Sequence, residues 1–346
     1  MTVAYTPAMT ADAPIGLALI GVGRMGSFHA RALATTSAVS VVAIADAHRP
    51  SIDALRAVHP EATAYESPEH AFAHAGVEAC LIATPTPTHP ALVAAALDAR
   101  LHVLCEKPLS LDPTESDRLG ARAIAADRIL QVGFWRRFSP PWARLREALV
   151  AGRVGSPLYL RLSQWDADPP PASFCDPAVS GGLAIDCGVH EFDLAEWLTG
   201  LRIERVRAWS PPPLDGGLAE VGDVDNVLAV LELTGGVVAT VDLSRNARYG
   251  DDVRTEVLGS QGALFVDILP LGRTRIGTST GVKVLAGSEV DDATVAGVVA
   301  QAEAFAAAIR GGQLERPGAE ASARATRVGH AVARALQSGE AVEVAS

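Results

Sequence analysis

Over its first 135 residues the chain alternates short, continuously apolar runs with segments of helical periodicity. Residues 15–20, 39–45, 79–83, 101–105 and 131–135 read as buried strands, and residues 27–35, 51–58 and 89–99 as helices. Strands separated by helices of this length predict a parallel, doubly wound sheet. From residue 136 the pattern changes. A helix over 142–151 leads to a strand at 157–163, a proline-containing loop at 165–180 and a helix carrying Asp186 and His190. Strands follow at 227–233, 237–243, 255–259 and 263–267, with Thr234-Gly235-Gly236 marking a hairpin between the first two. No helical pattern interrupts them, which predicts a largely antiparallel sheet, closed by helices over 295–308 and 321–335. An open antiparallel sheet with an apolar outer face needs a cover. Strand 237–243 reads as apolar on both sides, so self-association across the sheet is expected, closing as a dimer or tetramer.

The first apolar run ends at Gly21-Val22-Gly23-Arg24-Met25-Gly26, so a G-x-G-x-x-G sequence stands between a strand and a helix. In that setting Gly21 permits the tight turn, Gly23 lets the backbone approach a pyrophosphate, and Gly26 lets helix and strand pack closely. Strand 39–45 ends at Asp46, twenty residues beyond Gly26. A carboxylate there accepts hydrogen bonds from ribose hydroxyls and repels a 2′-phosphate, which favours NAD over NADP, although nearby Arg49 softens the preference. Ligands of such sheets bind beyond the carboxyl ends of the strands, where Thr84-Pro85-Thr86 and Glu106-Lys107-Pro108 lie. The fold expected is therefore α/β, with a Rossmann domain over 15–132, an α+β domain over 133–346, and a loose polar extension over 1–14.

Asp186 and His190 are four residues apart, a spacing that puts two side chains on one helix face. Histidine suits taking a proton from an alcohol, and Lys107 would face the same cleft. The plainer alternatives are a helix-capping histidine, a surface aspartate and a solvated loop lysine. Composition narrows the choice of partner. At 346 residues two domains are natural, and a net charge of -11 argues against nucleic acid or an anionic membrane. Cys80, Cys105, Cys175 and Cys187 show no metal or disulfide spacing, which fits a reducing cytoplasm and no metal. No apolar run is long enough to span a bilayer, and the first fourteen residues lack the pattern of a signal peptide.

Taken together, the chain resembles the Gfo/Idh/MocA oxidoreductases. The motifs that carry the likeness are Gly21 to Gly26 with His29, Thr84-Pro85 with His89, Glu106-Lys107-Pro108, Gly133 to Phe138, Gly181 through His190 and Asp193, and Tyr249-Gly250. The inositol 2-dehydrogenase branch is the most similar. The resemblance implies Lys107, Asp186 and His190 as the catalytic set. It implies cofactor contacts at Gly21, Gly23, Arg24, Met25, Gly26, Asp46, Arg49, Thr84, Pro85, Thr86, His89, Glu106 and Lys107. Around the substrate, a polyol or sugar, it implies Trp135, Asp166 and Tyr249 beside the catalytic set. It further implies an open-faced sheet that builds a tetramer. In the implied mechanism His190 takes the hydroxyl proton, Asp186 polarises His190, and Lys107 stabilises the developing alkoxide. Three positions depart from the inositol branch: Trp135 replaces a common methionine, Asp166 a common asparagine, and Thr86 a common asparagine. A pyranose or glycoside is the alternative substrate, and a dinucleotide-binding sensor without turnover the alternative of another class.

Overall fold

The structure is a computed structural model and describes residues 13–167, 169–214, 216–267, 273–284, 293–312 and 316–345. Most of the 1–14 extension thus lies outside the described residues. Six strands form the first sheet: β1 (Ile15–Ile20), β2 (Val39–Ala45), β3 (Thr63–Tyr65), β4 (Ala79–Ile82), β5 (His102–Cys105) and β6 (Leu130–Val132). Their order is β3-β2-β1-β4-β5-β6, and every pair is parallel. β1 and β4 are buried along their whole length, as central strands covered on both faces must be. Strand order reverses between β1 and β4, so the crevice at the carboxyl ends opens where the glycine loop lies.

Several boundaries differ from the sequence reading. The first helix, Arg24–Leu33, begins inside the glycine motif. The one expected over 51–58 is a five-residue helix, Arg49–Asp53, continued by turns. Beyond Val132 the chain leaves the sheet in a 3-10 turn, Trp135–Arg137. A helix over Pro113–Ala125 was not anticipated, although Asp112 caps it by accepting the Thr114 N–H at 2.8 Å.

Among the described residues the second sheet has nine strands: β7 (Pro157–Trp165), β8 (Ile203–Trp209), β9 (Asn226–Leu233), β10 (Val238–Ser244), β11 (Asp252–Gly259), β12 (Gly262–Asp267), β13 (Arg273–Thr278), β14 (Gly281–Val284) and β15 (Val342–Glu343). β7 is central, antiparallel to β11 and parallel to β10, and the remaining pairs are antiparallel. Helices Gly188–Thr199 and Ala319–Ser338 pack on one face. Helix Ala293–Ile309 returns to the first sheet, where Ala302, Phe305 and Ala306 join the core under β1 and β2.

On the uncovered face the sequence reading of β10 needs correction. Ala239, Val241 and Leu243 are buried, whereas Val238, Thr240, Asp242 and Ser244 face outward, so the strand is apolar on one side only. The apolar character of this face comes instead from Trp209, Leu228 and Leu258, each about half exposed.

Candidate active site

Three glycines shape the cofactor loop. Gly21 has φ +84°, and a Cβ there would stand 2.8 Å from the Ala83 carbonyl oxygen. A Cβ on Gly26 would lie 1.9 Å from the Gly21 oxygen, so no side chain fits between helix and loop. Gly23 differs, because a Cβ there would meet nothing within 4 Å. Open space over a backbone that local packing does not crowd is what close approach of a pyrophosphate requires, so a dinucleotide fits. Arg24 and Met25 open the helix that follows, with Arg24 exposed. Asp46 accepts the Val22 and His48 N–H groups, each at 2.7 Å. A second lone pair on each oxygen stays available for ribose hydroxyls. Arg49 turns to Asp53 at 3.4 Å.

Two loops wall the crevice. Thr84 hydrogen-bonds Thr88 at 2.7 Å, and Thr86 opens a short 3-10 turn after Pro85. His89, expected to touch cofactor, is 1% exposed and bridges the loops, with Nδ1 on the Pro108 carbonyl at 2.9 Å and Nε2 on that of Thr84 at 2.8 Å. A neutral imidazole donates to only one of these carbonyls, and the buried ring stands as a strut between the two loops. Glu106 is likewise internal. His29 Nε2 lies 2.6 Å from Glu106 Oε1, and Oε2 accepts the Lys107 N–H at 3.1 Å, fixing the turn that presents Lys107. Burial opposes the Glu106 charge, but the His29 contact outweighs it and holds the carboxyl below its usual range.

Lys107 reaches from β5 to the second domain. Its Nζ donates to the Asp186 carbonyl at 2.7 Å and lies 3.4 Å from Asp186 Oδ1. Burial disfavours the ammonium, yet Asp186 and Glu106 more than compensate and raise it above its ordinary value. Among the described residues His190 Nδ1 is buried without a hydrogen-bond partner. Burial, reinforced by Arg136 and Lys107, holds the imidazole well below its ordinary pKa, hence neutral. The rings of Phe134 and Trp135 meet His190 edge-on, with centroids 6.1 and 6.4 Å away.

The link expected between Asp186 and His190 is revised. They do not share a helix: Leu183–Asp186 ends at Cys187, and His190 lies in the first turn of Gly188–Thr199. The carboxylate of Asp186 faces Lys107 and Arg245, whose Nη2 is 3.5 Å from Oδ2. No hydrogen bond joins it to His190 among the described residues. Trp135, expected at the substrate, packs between His190 and Trp142. It is 8% exposed, stacks edge-on with Trp142, and would be struck by a Cβ on Gly297 at 2.7 Å. Tyr249 is 64% exposed and donates to Asp252 at 2.9 Å. It lines a hollow of about 240 Å³ with Trp165 and Asn246, apart from Lys107. Asp166 lies beside the centre, with its Oδ2 3.2 Å from the Cys187 thiol.

The reading did not single out Arg245, a fully buried guanidinium bound to Asp223 at 2.6 Å. It also missed the buried pair of Arg136 with Glu191, and the bond from Arg136 to Gln164 at 2.7 Å. Their partners are distant in sequence, so spacing carries no signal of them. A larger hollow of about 780 Å³ lies elsewhere, lined by Arg137, Trp197 and Glu320 among others and by none of Lys107, Asp186 and His190.

A Rossmann crevice that delivers a lysine to a neutral histidine and a carboxylate defines the class of an NAD(P)-linked oxidoreductase. Residues 15–134 match the model of the oxidoreductase family with an NAD-binding Rossmann fold, and residues 142–265 match the GFO/IDH/MocA C-terminal domain. The chain belongs to this family. It is 37% identical to a myo-inositol 2-dehydrogenase of Thermotoga maritima over 72% of this chain and 75% of that protein. With the scyllo-inositol 2-dehydrogenase (NAD(+)) of Bacillus subtilis it shares 32% identity over 73% of each. The structure superposes on scyllo-inositol dehydrogenase from Lactobacillus casei with bound NAD(H) and scyllo-inositol, at TM-score 0.84, 25% identity, and coverage of 96% of this chain and 100% of that one.

Proposed function

We propose that this protein is an NAD-dependent dehydrogenase that oxidises a ring secondary alcohol of a cyclic polyol, myo-inositol or a related inositol, to the ketone. The observation that carries the reading is the Lys107 ammonium, held by Asp186 beyond the end of β5 and close enough to lower the pKa of a buried, neutral His190, in a chain whose relatives are inositol dehydrogenases by name. When bound, nicotinamide supplies the acceptor for the carbon-bound hydride. His190 Nε2 takes the hydroxyl proton. Lys107 donates to the same oxygen as it gains negative charge, an interaction stronger in the transition state than in the ground state. Asp186 holds Lys107 charged and aimed. The glycine loop and Asp46 hold the dinucleotide, and the Asp46 carboxylate selects against a 2′-phosphate.

Three wider statements belong to the same reading. Residues 15–132 serve as the cofactor unit and 133–346 as the unit for substrate and assembly. The uncovered sheet face, with Trp209 and Leu228 side by side on β8 and β9, is where copies of the chain pair toward a dimer or tetramer. The four cysteines are free and buried, which suits a reducing cytoplasm. No helix among the described residues is long and apolar enough to cross a membrane. Initial rates of NADH formation with NAD or NADP, across inositol isomers, glucose, xylose and a simple glucoside, test the proposal. Turnover of an inositol with NAD supports it; activity confined to the sugars moves the substrate to a pyranose.

A further inference from the structure

Arg245 is buried just beyond β10, where its backbone N–H donates to the Asp225 carbonyl at 2.9 Å. Its Nη1 donates to Asp223 Oδ2 at 2.6 Å. Asp223 in turn accepts the Leu183 N–H on both oxygens, at 3.0 and 3.1 Å, and a Cβ on Gly182 would stand 2.6 Å from its Oδ1. One buried carboxylate thus ties the guanidinium to the start of the short helix Leu183–Asp186, whose last residue is Asp186. Arg245 Nε and Nη2 are buried and have no hydrogen-bond partner among the described residues. A guanidinium that served only to fix the fold would spend those donors, because buried unpaired ones cost free energy. Nη2 instead stands 3.5 Å from Asp186 Oδ2, while Lys107 Nζ stands 3.4 Å from Oδ1. The Cys187 thiol is farther from Oδ2, at 3.9 Å.

The Asp186 carboxylate is therefore suspended between two cations, one on each oxygen, near both and tightly bonded to neither. The short bond of Lys107, at 2.7 Å, goes to the Asp186 carbonyl, an uncharged acceptor that leaves the other ammonium N–H groups for a substrate oxygen. With no cation behind it, the carboxylate would close on Nζ as a charge-assisted hydrogen bond and occupy a donor that the developing alkoxide needs. Resting on the proposed function, we infer that Arg245 is a positioning residue that draws the Asp186 carboxylate off Lys107 and keeps the ammonium available to the reacting oxygen. Charges alternate along the row Asp223, Arg245, Asp186 and Lys107, which ends at that oxygen.

Arg245→Gln alone strands Asp223 as a buried unpaired charge, so the test also uses the paired variant Asp223→Asn with Arg245→Gln, which removes both charges together. Steady-state rates are measured on the full-length protein with NAD and the inositol that the wild type oxidises fastest. The paired variant is expected to lose roughly ten- to a hundredfold in kcat, the scale on which small misplacements of a reacting group act. KM for the inositol and calorimetric NAD affinity stay within about threefold of wild type. In an Asp186→Asn background, where no carboxylate pulls on Lys107, the same replacement is expected to cost less than about threefold. A kcat within that range in the otherwise wild-type protein, or an equal loss in both backgrounds, overturns the inference while leaving the proposed function standing. A wild type that oxidises no cyclic polyol refutes the proposed function instead. Crystal structures of the wild type and the paired variant then decide the inference: a Lys107 Nζ that closes on the Asp186 carboxylate to below about 3 Å in the variant upholds it, and an unchanged separation ends it.

Discussion

Replacing Lys107 with alanine removes the donor that meets the reacting oxygen and leaves most of the surrounding structure in place. Its Nζ donates to the Asp186 carbonyl at 2.7 Å and, more loosely, to the carboxylate at 3.4 Å, where it also forms an ion pair. The side chain is 17% exposed, so the pair is partly screened, and Asp186 keeps a cation in Arg245 at 3.5 Å. The expected stability loss is therefore modest, about 1 kcal/mol. Catalysis is hit harder. Losing one preorganised donor to a developing oxyanion costs roughly 3–4 kcal/mol, or on the order of 10²–10³ in kcat. Cofactor affinity should change little, because the glycine loop and Asp46 hold the dinucleotide from other strand ends. Steady-state NADH formation, calorimetric NAD binding and a thermal melt separate the three effects. A variant that keeps kcat within about threefold of wild type, or that loses rate only as it loses NAD binding or fold, refutes the role given to Lys107.

Other outcomes follow from the same geometry. The base must be neutral, and His190 is held well below 6.5, so kcat/KM should stay level as pH falls past 6.5 and decline only further down; the acceptor-stabilising ammonium of Lys107 is raised above 10.5, which puts the alkaline decline above that value. The same depressed histidine lends stability in full above its unfolded pKa and loses it as pH falls toward the folded value, measurable as a drop in melting temperature on the acid side. Gly23→Ala should fold normally and bind NAD weakly by calorimetry, whereas Gly26→Ala, whose Cβ would lie 1.9 Å from a carbonyl oxygen, should lose several degrees in melting temperature. Asp46→Ser should raise the NADP-to-NAD ratio of kcat/KM by tenfold or more, read from paired initial rates; an unchanged ratio would remove Asp46 as the cofactor selector.

Much of this architecture was legible before the structure. Continuous apolar runs such as 15–20 and 79–83 identify fully buried strands, and a glycine motif between strand and helix has one common physical use. What stayed hidden is chiefly non-local. β8 escaped notice because a register shift between Ile203 and Arg205 breaks its two-residue period. The parallel pairing of β7 with β10 inside an otherwise antiparallel sheet depends on a long connection that no local pattern reports. At the site, motif positions located Lys107, Asp186 and His190 but not their wiring. The four-residue spacing of Asp186 and His190 suggested one helix face, yet the chain breaks at Cys187 and turns the carboxylate toward Lys107 and Arg245. Trp135 and His89 show what motif positions leave out, since their packing against His190 and their bridge between two loops depend on partners distant in sequence.

The central claim is that a ring carbon of a cyclic polyol gives its hydride to NAD at Lys107 and His190. Incubating the protein and NAD with inositols deuterated at the ring carbons, with mass analysis of the nicotinamide and the ketone product, tests it most directly. The account predicts deuterium on the nicotinamide in equal amount to the ketone formed, and loss of both in Lys107→Ala. NAD that binds but never acquires deuterium from any cyclic polyol would contradict it.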